Sequence, residues 1–231
     1  MTDSKKSERV YLVAGATGNV GREVTERLLA RGLRTRVFTR DAAKVARWGD
    51  RVEVALGDLQ RPDTFERAAS GADAVFVMHQ SPDQGAFARL IDAAKASGQP
   101  RIVFLSSLAA SDPELEIGVL HKHKEDTIRA SGLQATFVRP GGFMSNTYQW
   151  TGSINAEGVV YNALGDVRFP PIAPEDIAAV AFRSLMEPEL SGETFELTGG
   201  ELLSVPEQVE ILAKVLGRPM RRRSCCPTVK R

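Results

Sequence analysis

The chain has 231 residues, 30 Lys and Arg against 29 Asp and Glu, and a formal net charge of +1. That length suits one large domain, or one domain with a small appendage, and the balanced charge gives no reason to expect a nucleic-acid or membrane partner. No apolar run approaches the ~20 residues of a membrane span. The two cysteines, Cys225 and Cys226, are adjacent, a spacing that rarely bridges and leaves no second pair for a zinc site. The expectation is a cytoplasmic protein without a metal.

Residues 1–8 are polar, lack the apolar core of a signal peptide and are expected to form a disordered leader. Short β-rich runs then alternate with amphipathic segments. The runs are VYLVAG (10–15), TRVFTR (35–40), VEVALGD (52–58), DAVFVMH (73–79), RIVFLSS (101–107) and ATFVRPG (135–141). Most are nearly continuous apolar strings, as expected of strands covered on both faces. Between them, NVGREVTERLLARG places Val20, Val24, Leu28 and Leu29 on one helical face and stops at Gly32. Similar patterns run from Pro62 to Gly71, from Asp83 to Gly98, and from Leu120 to Gly132. Six strands with crossover helices predict an α/β fold with a doubly wound parallel sheet in the order 3-2-1-4-5-6. The nucleotide-binding core is expected over 9–142. A small C-terminal α/β substrate lobe, interleaved with that core, is expected over 143–220. The tail 221–231, RRRSCCPTVKR, shows no apolar periodicity and is expected to be disordered.

Gly15, Gly18 and Gly21 follow the first strand and open the first helix. The first glycine permits a tight turn with positive φ. The second lets backbone N–H groups approach a pyrophosphate, and the third lets helix and strand pack closely. The helix N-terminus offers unpaired donors to an anion, with Thr17 and Asn19 as added donors and Ala16 and Val20 completing the turn. At the end of the second strand, an acid selects NAD by binding the ribose 2′-hydroxyl, whereas an Arg accommodates a 2′-phosphate. This chain has Thr39 and Arg40 there, with Lys44 one helical turn on, so NADP(H) is preferred and NAD(H) is the second choice. Asp41 reads as a helix N-cap. Asp58, beside Leu59, either meets the adenine amino group or caps the turn before Pro62.

The segment LVAGATGNVGREVTERLLARG resembles the nucleotide motif of the NmrA-like atypical branch of the short-chain dehydrogenases/reductases. DAVFVM, FLSSLAA, IRASGLQATFVRPGGFMSN, DIAAVA, ETFELTGGELLS and VLGRPM resemble that branch's successive blocks, so the resemblance covers roughly residues 9–220. It implies that Gly15 to Gly21, Arg40, Asp58, His79, Ser106 and the turn at Pro140 and Gly141 line a cofactor cleft. Two departures stand out. The superfamily's better-known reductases use a Tyr-x-x-x-Lys pair, and the matching helix here has His121 and Glu125 instead, a replacement common in the branch. Members of the branch also often continue beyond GRP with further helices, where this chain is expected to have only a short tail.

Proton donation then falls to Ser106, Ser107 or His121. A strand-end serine can donate to an oxyanion, and an imidazole titrates near neutrality. Glu125 shares a helix face with His121 and is the candidate to stabilise it, although the run 122–126 equally reads as a solvated charged face. Phe143, Tyr148 and Trp150, with Met144, are candidates for an apolar wall against a flat substrate, or ordinary core of the lobe. Two functions fit: an NADPH-dependent oxidoreductase acting on a small quinone, enone or carbonyl compound, and a non-catalytic NADP(H)-binding redox sensor working through a regulatory protein partner. A homodimer is compatible with either.

Overall fold

A computed structural model describes residues 9–224. In chain order the elements are β1 (Val10–Ala14), α1 (Asn19–Ala30), β2 (Arg34–Thr39), β3 (Val52–Leu56), α2 (Pro62–Ala69), β4 (Ala74–Val77), α3 (Gln84–Ala96), β5 (Arg101–Leu105), α4 (Glu116–Ser131) and β6 (Ala135–Pro140). They continue with α5 (Thr151–Glu157), β7 (Val159–Asn162), β8 (Arg168–Phe169), α6 (Pro174–Met186), β9 (Thr194–Leu197), β10 (Leu203–Ser204), α7 (Val205–Leu216) and β11 (Arg221–Ser224). None of the described helices is long and apolar enough to cross a membrane.

The chain divides into two compact units. The first comprises residues up to Pro140 together with Pro174–Leu197. It holds a seven-stranded parallel sheet in the order β3-β2-β1-β4-β5-β6-β9, so the six expected strands take the expected order and a seventh extends it. β1 and β4 are buried at every position, because helices cover both faces of the sheet and continuous apolar strings can be desolvated on both. One apolar cluster gathers Leu12, Phe65, Phe87, Leu90, Phe104 and Phe137. Each such side chain contributes roughly 1.5–3 kcal/mol by leaving water. β3 is an edge strand and exposes Glu53 and Val54.

Local chemistry sets the boundaries. The Asp83 carboxylate caps α3 by accepting from the Ala86 N–H at 2.9 Å. Gly132, in the left-handed region at φ 78°, closes α4. β9 and α6 read from sequence as parts of the C-terminal lobe, yet they complete the first unit. β9 runs parallel to β6 with Val138 opposite Phe195, and α6 buries Ile177, Ala181 and Leu185.

The second unit comprises 141–173 and the residues from Thr198 onward. β7 pairs parallel with β11, and β8 pairs antiparallel with β10. Ile154, Val160, Val205 and Val209 form its core, with Trp150 and Phe169 packed against them. A capping box between Ser204 and Glu207 starts α7. Residues 221–224, expected as the start of a disordered tail, form a strand instead. Ladder bonds are made by the backbone and need no apolar side chain. The Arg221 N–H donates to the Gly158 carbonyl at 2.9 Å, and Arg222 pairs with Asp166 at 3.0 Å. The proposed leader, Cys225 and Cys226 lie outside the described residues.

Candidate functional site

The glycine turn is built by close packing. Gly15 has φ +94°, in the region that favours glycine, and its carbonyl accepts from the Gly18 N–H at 2.9 Å. A Cβ on Gly21 would overlap the Gly15 carbonyl, lying 2.7 Å from its carbon, whereas one on Gly18 would lie 3.3 Å from the Gly15 oxygen. Gly21 is therefore the residue that lets α1 seat on β1, and Gly18 leaves the mouth of the turn open. Gly18 is also the N-cap of α1 and brings no side-chain cap, so the helix start is not screened by a capping oxygen.

A cavity of about 320 Å³ opens on this turn, beyond the carboxyl ends of the parallel strands. Gly15, Thr17 and Gly18 line its middle, and Thr39, Arg40, Lys44, Asp58 and Leu59 line the β2–β3 side. His79 lines the β4 side. Nine of the expected cofactor residues thus share one wall. Met78, Gln80 and Ser81 were missed; they follow β4, where no spacing rule marks a ligand contact. Ala16, Val20 and Gly21 are buried and do not line this cavity. Asn19 is the first residue of α1 and lies off that wall. Pro140 ends β6 in a buried position, and Gly141 belongs to the second unit.

Individual roles differ from the sequence picture. Thr39 is mostly buried and its hydroxyl donates to the Asp41 carbonyl at 3.1 Å, which fixes the turn after β2. Asp41 is the N-cap expected of it, accepting from the Ala43 N–H at 2.9 Å. Asp58 holds its own turn through the Gln60 N–H at 3.0 Å, and its second oxygen lies 4.0 Å from Arg40. Arg40 is mostly exposed, and Lys44 has no acidic partner within ion-pair distance among the described residues.

The run 122–126 on the helix expected to carry the proton donor is a solvated face only in part, with Lys122, His123 and Asp126 exposed. Lys124 and Glu125 are both buried. Glu125 accepts from the Ser106 hydroxyl at 2.6 Å, from Arg139 Nε and Nη2 at 2.8 and 2.7 Å, and from Arg129 Nη1 at 3.1 Å. Burial alone would raise its pKa; the bonds from Arg139 and Ser106 and the two guanidinium charges outweigh that and hold it below the ordinary carboxylate value. Two expectations are corrected here. Ser106 gives its one proton to Glu125, so it has none for an oxyanion. Glu125 is the hub of an arginine cluster and not an orienting partner for His121.

His121 stays free for chemistry. Its Nδ1 has no hydrogen-bond partner among the described residues, and its ring lies 6.3 Å from that of Phe104. Burial lowers its pKa, the Lys124 charge lowers it further, and Glu125 opposes both. His79 is lowered by burial, then by Lys124, and neither of its ring nitrogens has a partner among the described residues. Lys124 donates to the His79 carbonyl at 2.7 Å and sits 5.9 Å over the Phe87 ring. Burial and the Lys124 charge thus favour the neutral form of both imidazoles.

The second unit has its own cavity, lined by Phe143, Trp150, Tyr161, Phe169, Asn162 and Gln208 among others. Two of the three expected substrate residues, Phe143 and Trp150, line it; Tyr148 does not and is exposed.

Comparison with known proteins places these features. A family profile described as NAD(P)H-binding matches residues 15–188. The (4-alkanoyl-5-oxo-2,5-dihydrofuran-3-yl)methyl phosphate reductase of Streptomyces griseus is 38% identical over 214 residues, 92% of this chain and 76% of that protein. The NAD(P)H azoreductase of Xenophilus azovorans is 37% identical over 216 residues, again 92% and 76%. Among solved structures, the triphenylmethane reductase of Citrobacter sp. superposes with a TM-score of 0.82 at 21% identity, over 94% of this chain and 79% of that one, and so shares the fold. With a profile match that starts in the glycine turn and spans most of the chain, and relatives aligned along nearly all of it, the protein belongs to the NAD(P)H-binding family.

Proposed function

We propose that the protein is an NADP(H)-dependent oxidoreductase that reduces a small, flat, conjugated acceptor such as a quinone, an enone or another carbonyl compound. The observation that carries this reading is the single cavity whose wall holds the glycine turn, the cations Arg40 and Lys44, and His79. The residues fit a dinucleotide. Gly18 leaves the start of α1 open for a pyrophosphate, and Arg40 and Lys44 stand where an acid would select the unphosphorylated ribose. When bound, the dihydronicotinamide supplies a hydride.

The chain's own task is to orient that cofactor and manage the proton. His121, whose Nδ1 has no hydrogen-bond partner among the described residues, donates its N–H to the oxyanion that develops on the acceptor. A quinone or enone takes up hydride readily and can draw the one proton it then needs from water, so no strong acid is needed. The printed names of the relatives support this class. One acceptor is a dihydrofuranone whose ring double bond is conjugated to carbonyl groups, and the other is an azo compound.

The test is to mix the protein with NADPH and then with menadione, following loss of NADPH absorbance. Consumption dependent on both supports the reading. Tight NADPH binding without consumption, across quinones and enones, favours the alternative: an NADP(H)-binding redox sensor acting through a protein partner. One observation favours that second reading, because Ser106 and Glu125 are both committed to an internal cluster, which leaves His121 and Ser107, whose hydroxyl accepts from the Ala109 N–H at 3.2 Å, to serve the acceptor.

A further inference from the structure

Lys124 lies on α4 one helical turn beyond His121, and at 2% exposure it is one of the most deeply buried large side chains. Its ammonium donates to the His79 carbonyl at 2.7 Å and stands 5.9 Å from the centre of the Phe87 ring. No carboxylate lies within ion-pair distance of it among the described residues. The adjacent Glu125 turns its oxygens to Ser106, Arg129 and Arg139, and Asp83 spends its carboxylate on the cap of α3. Burying a cation without an anion is costly, and here burial lowers the Lys124 pKa. An apolar side chain of the same length would fill the space at lower cost, so stability does not explain an ammonium at this position.

The bond it makes joins two places that matter. β4 ends at Val77, and the residues that follow, Met78, His79, Gln80 and Ser81, form one wall of the dinucleotide cavity. The His79 carbonyl sits within that wall. The other end of the bond is the α4 backbone, on the same turn as His121. A row of rings spans the same gap. His79 lies 5.1 Å from Phe87, Phe87 lies 5.5 Å from Phe104, and Phe104 lies 6.3 Å from His121. Ring contacts are non-directional and tolerate sliding. The charge-assisted bond from Lys124 is short and directional, so it fixes the spacing.

We propose that Lys124 is a positioning residue: by holding the His79 carbonyl it fixes the 78–81 wall of the dinucleotide cavity against the turn of α4 that carries His121, so that cofactor and proton donor keep one geometry. The inference rests on the oxidoreductase reading above. Lys124 touches no reacting atom and acts through the wall and through His121. Its removal should therefore separate stability from function, the one held or raised and the other lost.

The experiment compares the wild type with Lys124→Met and Lys124→Leu, which keep an apolar stem and remove the donor. It reads the thermal midpoint, steady-state menadione reduction at saturating NADPH, and amide hydrogen exchange of residues 78–81 in the cofactor-free protein. The midpoint should hold or rise, because an unpaired buried charge is gone. Turnover should fall by about 10²-fold, the loss that a displacement of about 1 Å brings. The KM for menadione should stay within about two-fold, since an interaction felt only in the transition state lowers kcat and kcat/KM together. Exchange at 78–81 should quicken by about ten-fold or more as the wall opens more often. Unchanged kcat and unchanged exchange would overturn the proposal whatever the midpoint does. Failure of both variants to fold would overturn it too, by making Lys124 a structural prop. If the wild type binds NADPH and never reduces menadione or any other quinone or enone, the oxidoreductase reading fails by itself, and the exchange rates still decide whether Lys124 fixes the wall.

Discussion

Glu125→Gln should destabilise the protein by about 3 kcal/mol while leaving the cofactor cavity intact. The carboxylate is fully buried and receives four hydrogen bonds, two of them from Arg139, whose side chain is 11% exposed. Removing one partner of a buried ion pair costs about 3–5 kcal/mol, because the other charge stays buried and uncompensated. The lower end applies here, since Arg139 keeps Glu196 at 3.3 Å and the amide oxygen still accepts one bond. Arg129 adds little, being 41% exposed and close to the surface-pair value of about 0.5 kcal/mol. With a urea slope of about 2–3 kcal/mol/M, the unfolding midpoint should fall by roughly 1–1.5 M. The paired change Glu125→Met with Arg139→Met removes both charges and should recover most of the loss. A loss under about 1 kcal/mol, or a double variant as unstable as the sum of the singles, would refute the view of Glu125 as the anchor of a buried ion cluster.

Gly21→Ala should lower the thermal midpoint, because its Cβ meets the Gly15 carbonyl; Gly18→Val should stay folded and lose dinucleotide affinity, and calorimetry with a binding titration separates the two. Arg40→Ala should weaken NADPH binding several-fold more than NADH binding, by fluorescence titration, whereas equal loss would remove Arg40 from phosphate recognition. His121→Phe should cut menadione-dependent turnover by about 10²-fold without changing NADPH affinity. Since burial and Lys124 lower the His121 pKa, wild-type turnover should be flat above about pH 6.5 and hold or rise as acid protonates the ring, which keeps its N–H; a rate that falls with that protonation would mean that His121 serves as an acceptor or base instead. Finally, the native pKa values of His79 and His121 lie below their unfolded values. The stability they contribute is present above about pH 6.5 and is lost as the pH drops through the native values. Glu125 adds a second loss below the ordinary carboxylate value, so denaturation midpoints measured from pH 8 down to about pH 2 should decline in two stages.

The sheet was legible because its strands are continuous apolar strings with a glycine at almost every helix end. The glycine turn was legible because its context is local: strand, turn, helix. What sequence concealed is charge that only tertiary partners make tolerable. Lys124 and Glu125 sit in a run of five charged or polar residues and read as solvent-facing, yet Arg139, fourteen residues on, and the His79 carbonyl, forty-five residues back, draw them inside. Ser106 looked available for the same reason, since the acceptor of its proton lies nineteen residues away. β11 was hidden because Arg221, Arg222 and Arg223 carry no apolar signal and its ladder is a backbone affair.

The position of β9 has a consequence for synthesis on the ribosome. Its neighbour β6 ends at Pro140, but Thr194–Leu197 emerges only after the intervening stretch from 141 to 193 has been made. During that interval the border of the sheet is β6, a strand with Phe137 and Val138 at its centre and its outer backbone groups unmatched. Such a border is a template for intermolecular pairing. Truncated products ending before residue 194 should therefore be the sticky species in an expression lysate, and the last parallel strand acts as a closing hem on the growing chain.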